Sequence, residues 1–216
     1  MSILDNINKI RNDLDGNRVM IVAVTKNANL DQIKQAYEAG LNQFAESRIQ
    51  DANLKMNALA QSCGKYINWH FIGHVQTNKV KNIVGNFCLI HSVDSQYLLE
   101  SISYVASQKN IIQEVLLQVK FDENKFGFRS DELLDKFESL YNLPNISIKG
   151  LMTMAPLVKN KNLWFDCFDG LRILKDKLIA NYNINLKELS MGMSDDYLVA
   201  VSCGATIIRL GRAIFN

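Results

Sequence analysis

Residues 18–30 read RVMIVAVTKNANL, and the reading of this stretch decides the fold. Six apolar residues, Val19 to Val24, run without a break and then meet Thr25 and Lys26. A short unbroken apolar run suits a strand covered on both faces, as in a parallel sheet screened by helices. NLDQIKQAYEAG follows over residues 29–40 as a helix, with Gly40 as its stop signal. Lys26 therefore stands at the tip of a buried strand. Lysine almost never goes fully inside without a partner. It either snorkels out at the strand end or is chemically employed there.

The same alternation continues along the chain. QFAES (43–47), INWHFIG (67–73), FCLIHSVD (87–94), QEVLLQVK (113–120), SIKGLMTM (147–154), LKELSMG (186–192) and TIIRLGRAIF (206–215) read as further strands. Helical segments separate them over residues 48–61, 77–86, 95–108, 130–142, 160–181 and 194–204. Ser95 is expected to cap one of these, and Ser130 with its early acids another. Eight strands in 216 residues fit an α/β fold with one compact (β/α)8 TIM-barrel domain over 1–216. An open doubly wound sheet is the competitor, disfavoured by the lack of a Gly-rich first turn. No helix is expected after the eighth strand, so the helix over about Ile3 to Leu14 should cover the closure.

Composition sets the class. The chain is 48% hydrophobic and 21% charged, ordinary for a globular protein. Its net charge of +2 comes from scattered basic residues, which speaks against a nucleic-acid surface. No apolar run reaches membrane-spanning length, and the start has no apolar signal region. Cys63, Cys88, Cys167 and Cys203 are widely spaced and lack a CxxC, as in a reduced, cytoplasmic protein.

In a barrel of this kind the chemistry lies at the C-terminal strand ends. These carry Lys26, Glu46 and Ser47, His70 and His74, Ser92 and Asp94, Lys120, Met152 and Met154, SMGMSDD (190–196) and RLGR (209–212). Ser194 stands near a helix N-terminus, where free N–H groups favour an anion. Gly211 lets backbone approach a ligand closely, and the loops after strands seven and eight are the usual phosphate position of the fold. Taken alone, Ser194 is an N-cap and Gly211 a turn; Lys26 on the neighbouring strand tips the reading to an anion site. Lysine, phosphate site and arginine in one mouth match the needs of pyridoxal phosphate. His70 and His74 lie four apart, but on a strand end rather than a helix, so no metal is expected. His91 reads as a structural residue, and Asp195 and Asp196 as complements to a helix dipole.

VAVTK, WHFIGHVQTNKVK, IHSVDS, GLMTM, LSMGMSDDY and IIRLGRAIF together resemble the pyridoxal phosphate homeostasis family, single-domain relatives of the alanine racemase barrel. The resemblance runs from about Val19 to the C-terminus. It implies a fold-type III barrel with Lys26 as the Schiff-base lysine. Ser194 and the amides of Gly211 and Arg212 would hold the phosphate, Arg209 would face the pyridine nitrogen, and Ser47 would stand where the family carries an asparagine near the ring. The chain departs from the family pattern at Asn27, Ala28 and Asn29, which replace Thr-Lys-Pro, at Ala45, Ser47 and Arg48 in the second strand motif, and at Arg212, which replaces a small hydroxyl residue.

An arginine opposite the ring nitrogen weakens the electron sink, and no tyrosine is placed by motif as a second-face base. The expected function is therefore cofactor buffering and delivery, affecting amino- and keto-acid metabolism, with apo enzymes as acceptors, in a monomer that binds neither nucleic acid nor membrane. The alternatives are a weak racemase or lyase using the cofactor, and a cofactor-free aldolase with Glu46 as acid or base.

Overall fold

The computed structural model describes residues 2–60, 67–122 and 125–216. Eight strands, β1 (Met20–Val24), β2 (Gln43–Glu46), β3 (Asn68–Phe71), β4 (Leu89–Val93), β5 (Gln113–Gln118), β6 (Ile146–Met152), β7 (Glu188–Ser190) and β8 (Ile207–Leu210), pair in parallel and in chain order. The ring closes where β8 pairs β1, with Arg209 opposite Val22 and Leu210 opposite Ala23. Closure excludes the open doubly wound sheet.

Period-two alternation sorts the side chains. Val22, Val24, Ala45, Leu89, Leu116, Met152 and Ile207 pack together inside the barrel. Their neighbours of opposite parity, among them Ala23, Phe44, Ile90, Leu117, Leu151 and Ile208, join the larger core beneath the helices. That core is formed with α1 (Ile3–Asp13), α2 (Leu30–Glu38), α3 (Ile49–Ala60), α4 (Val80–Ile83), α5 (Gln96–Gln108), α6 (Ser130–Tyr141), α7 (Lys161–Tyr182), α8 (Tyr197–Ser202) and α9 (Arg212–Phe215). Among the described residues no helix is long and apolar enough to cross a membrane.

Local signals account for most boundaries. Gly40, at φ +87°, ends α2 as expected, its N–H donating to Tyr37 O at 2.8 Å. Ser95 caps α5 by accepting from the Leu98 N–H. The expected cap at Ser130 is not made: Ser130 is the first residue of α6 and Arg129 the cap, without a side-chain bond. The helix expected over 48–61 is present as α3; residue 61 and Cys63 lie outside the described residues. Cys88, Cys167 and Cys203 are free thiols.

The eighth strand is shorter than its apolar run suggests. It ends at Leu210, and the chain turns at Gly211 into the single turn of α9 in place of a full closing helix. As expected, α1 covers the closure. It buries Ile3, Asn6, Ile7 and Ile10, and Asn6 Nδ2 donates to Ile214 O at 3.0 Å and Asn216 O at 3.1 Å. Full burial of Ile7 and Ile10 stabilises this docking by about 2 kcal/mol each.

Candidate functional site

The end of β1 is held from outside the barrel. Thr25 Oγ1 donates to Glu46 Oε1 at 2.6 Å, and Lys55 Nζ on α3 donates to both Glu46 Oε1 and Thr25 O, each at 2.6 Å. Glu46 is fully buried and Lys55 is half-buried. This clamp fixes the residue before Lys26. Glu46 thus faces the helix layer with its carboxylate engaged, which removes the acid or base that the aldolase reading required. Lys26 itself is exposed in a turn closed by the Ala28 N–H on Thr25 O at 2.9 Å. Its exposure matches a lysine that snorkels out at the strand end. The strand stops at Val24, and Thr25 rather than Lys26 is the residue drawn inward.

On the neighbouring strand the backbone opens. A Cβ at Gly211 would stand 3.4 Å from Val24 O, so the two strand ends lie side by side. Gly211 caps α9 and Arg212 is its first residue. Helix-start N–H groups have no acceptor within their own helix. The next amide, that of Ala213, donates to Ser194 Oγ at 3.1 Å. Ser194 therefore serves α9; α8 begins three residues later with Asp196 as its cap. Asp196 is buried and accepts from the Met193 N–H, and burial raises its carboxyl above the usual carboxylate range. Asp195 is exposed and pairs with the Arg212 guanidinium. Neither acid lies in the first turn of α8, where the sequence reading put both.

Arg209 is the buried charge of the site, 4% exposed. Its Nη1 donates to Ser190 Oγ at 2.7 Å and its Nη2 to Thr153 O at 2.9 Å. Among the described residues no carboxylate accepts a hydrogen bond from it; Asp196 acts only through its charge. Burial pushes the guanidinium down to about 10, which leaves it protonated at neutral pH. Beyond Ser190 the contacts continue through the barrel. His91 Nδ1 lies 2.8 Å from Ser190 Oγ, His91 Nε2 lies 2.9 Å from His70 Nδ1, and His70 Nε2 lies 2.8 Å from Gln43 Oε1. Burial pushes His70 down to about 4. It carries His91 well below the usual imidazole range, helped by the charges of His70 and Arg209. Both rings are neutral at neutral pH.

Lys26, Gly211 and Arg212 line one small cleft of about 60 Å³ with Val24 and Phe215. Ser194 joins it through the Ala213 amide, and Arg209 lies two residues before Gly211 on the strand that forms its wall. Ser47 does not share this cleft. It lines a separate hollow of about 350 Å³ with Arg48, His74 and Lys79. Gly73 brings the β3 loop against the end of β2 here: a Cβ would stand 2.0 Å from Ser47 O. His70 and His74 diverge, one inside the barrel and the other exposed on Asp94 and Phe126. Met152 is barrel core, while Met154 is partly exposed beyond the strand end. Sequence reasoning missed Lys55, Gln43 and Ser190 as partners. The available signal was parity for the strand residues: Gln43, His70, His91, Ser190 and Arg209 are among the polar residues at inward positions of the strands.

The whole chain, residues 1–216, matches the family model described as the alanine racemase N-terminal domain. It is 43% identical over 200 residues to a pyridoxal phosphate homeostasis protein of Synechocystis, covering 92% of this chain and 91% of the relative. A protein of the same name from Aquifex aeolicus is 39% identical, with 93% and 87% covered. The structure superposes on PipY of Synechococcus elongatus, solved with PLP bound, at a TM-score of 0.93, 34% identity and full coverage of both chains. Alanine racemase of Clostridium difficile shares the fold at a TM-score of 0.79 and 14% identity, and this chain spans 56% of it. The chain thus belongs to the alanine racemase N-terminal domain family, alongside the pyridoxal phosphate homeostasis proteins.

Proposed function

We propose that this protein binds pyridoxal 5'-phosphate and acts in its homeostasis, buffering the cofactor and delivering it to apo enzymes, with effects on amino- and keto-acid metabolism. The observation that carries the reading is one strand-end junction. An exposed lysine and helix-start amides share a cleft where β1 pairs β8, and Arg209, two residues before Gly211 on β8, carries a buried guanidinium. The residues fit the group chemically. Lys26 Nζ is the amine that would bond the aldehyde carbon. Ser194 and the N–H groups of Gly211 and Arg212 would receive the phosphate, and Arg209, a buried cation without a hydrogen-bonded carboxylate, would donate to the ring nitrogen. Ser47 lines the separate hollow and is given no contact with the ring.

When bound, the cofactor supplies an aldehyde that captures amines and a ring that can withdraw electrons. Arg209 keeps its own proton and offers only donors, so the ring nitrogen must accept. That arrangement withdraws fewer electrons than a carboxylate partner would. The nearby acid–base groups are engaged elsewhere: Glu46 with Lys55 and Thr25, and the Tyr197 hydroxyl on Asp13 Oδ2 at 2.6 Å. These features favour a carrier over a racemase or lyase. We place the carrier in the cytoplasm, as a monomer without nucleic-acid or membrane partners.

The test compares two rates on loaded protein. Cofactor transfer to an apo acceptor enzyme should outrun exchange of the α-hydrogen of L-alanine in deuterated water. Rapid racemisation by the unmodified protein would make it an enzyme instead.

A further inference from the structure

A TIM barrel interior is ordinarily filled by apolar layers. Here a line of polar side chains crosses it: Gln43 on β2, His70 on β3, His91 on β4, Ser190 on β7 and Arg209 on β8. His70, His91, Ser190 and Arg209 are all buried. Apolar residues of similar volume would often serve stability equally well or better.

The chemistry of its two ends gives the line a direction. Arginine can only donate, so Ser190 Oγ accepts from Arg209. The Ser190 hydroxyl proton then has His91 Nδ1 as its acceptor. That leaves the His91 proton on Nε2, donating to His70 Nδ1. The His70 proton stands in turn on Nε2, donating to Gln43 Oε1. In the reversed order Ser190 Oγ would accept twice, and its own proton would be buried without an acceptor. Only the forward order satisfies every member.

We propose that Ser190, His91 and His70 are positioning residues that hold the Arg209 guanidinium in place as the donor to the cofactor ring nitrogen. The inference rests on the function proposed above. A competing partner for Arg209 is the buried Asp196 carboxylate, whose charge acts on it without a hydrogen bond between them. Ser190 Oγ and Thr153 O hold the guanidinium away from that carboxylate. Ser190 Oγ can do so only while its proton has an acceptor in His91, and His91 is oriented in turn by His70. Remove the acceptor, and Ser190 becomes a poorer partner for Arg209.

Two measurements test this. Long-range ¹H–¹⁵N NMR on the protein without cofactor should find His70 and His91 both neutral with the proton on Nε2; an Nδ1–H form of either ring overturns the directional chain. The second compares binding of pyridoxal phosphate with its 1-deaza analogue, in which a C–H replaces the ring nitrogen. The unmodified protein should prefer pyridoxal phosphate, and Arg209→Met should lose that preference. Ser190→Ala and His91→Leu should each reduce the preference about tenfold, with affinity for the analogue little changed. His91→Gln, which keeps an acceptor, should restore part of it. Ser190→Ala removes a single oxygen, so it keeps the test alive if His91→Leu does not fold. If both ligands weaken equally, or the preference survives in the chain variants while Arg209→Met loses it, the positioning role falls and the cofactor reading stands. An unmodified protein with no preference overturns both the role of Arg209 and the chain behind it.

Discussion

Two polar clusters flank β2 and are built on opposite terms. On the outer side, Glu46 and Lys55 form an ion pair at 2.6 Å, with Lys55 still 15% exposed. On the inner side, Gln43, His70, His91 and Ser190 form a neutral line that ends on the single cation Arg209. The outer pair brings both charges, and the edge of the helix layer keeps one partly hydrated. In the inner line His70, His91 and Arg209 are all buried, so the imidazoles stay neutral and the one remaining charge has only neutral hydrogen-bond acceptors. A cluster that neutralises itself holds the fold together. A cluster that leaves a buried cation without a bonded anion suits the ligand-binding role proposed above.

The outer cluster should be the more costly to break. Lys55→Met would leave the fully buried Glu46 carboxylate with the Thr25 hydroxyl and the Ser47 N–H but no countercharge, at an expected loss of about 3–5 kcal/mol in urea denaturation. Adding Glu46→Gln to Lys55→Met should recover part of that loss, because the uncompensated charge is then gone. If Lys55→Met costs no more than an exposed pair, about 1 kcal/mol or less, the clamp is not structural.

The inner cluster should reveal itself through pH. His70 is depressed to about 4 from an ordinary 6.5, and His91 is also depressed. The unfolded chain therefore binds more protons than the folded one below 6.5. Stability is fully present above that pH and falls as the pH drops towards 4, by about 1.4 kcal/mol per pH unit for each imidazole. Arg209 faces His91 through Ser190 and reinforces the effect, while Gln43 facing His70 is neutral. His91→Gln should flatten the profile by one such slope. An unchanged profile would mean that His91 is charged or hydrated in the folded protein.

The barrel was legible because its strands carry unbroken apolar runs such as MIVAV and EVLLQV, each followed by a helical period. Ends were less legible. TIIRLGRAIF reads as one strand, yet Gly211 breaks it into β8 and α9, since an apolar run carries no mark of where a sheet gives way to a helix turn. Ser130 carried the residue types of a cap without making the bond. Lys26, Ser194, Arg209, Gly211 and Arg212 were singled out because they stand at the ends of strands that are neighbours in the closed barrel. Ser47 shares a strand-end position with them but opens into another hollow, a difference of side-chain direction that residue type does not encode. The polar line stayed hidden because its members are far apart in sequence: 21 residues separate His70 from His91, and 99 separate His91 from Ser190. Each histidine looks like an isolated core residue until the strands close.

The central claim is that Lys26, beside the Gly211–Arg212 turn, is the point of attachment for pyridoxal phosphate. Borohydride reduction of the cofactor-loaded protein, followed by peptide mass mapping, tests it directly. The account predicts a single reduced adduct on Lys26, and its loss in Lys26→Ala at an unchanged unfolding midpoint. An adduct that maps to another lysine, or one that persists in Lys26→Ala, would contradict it.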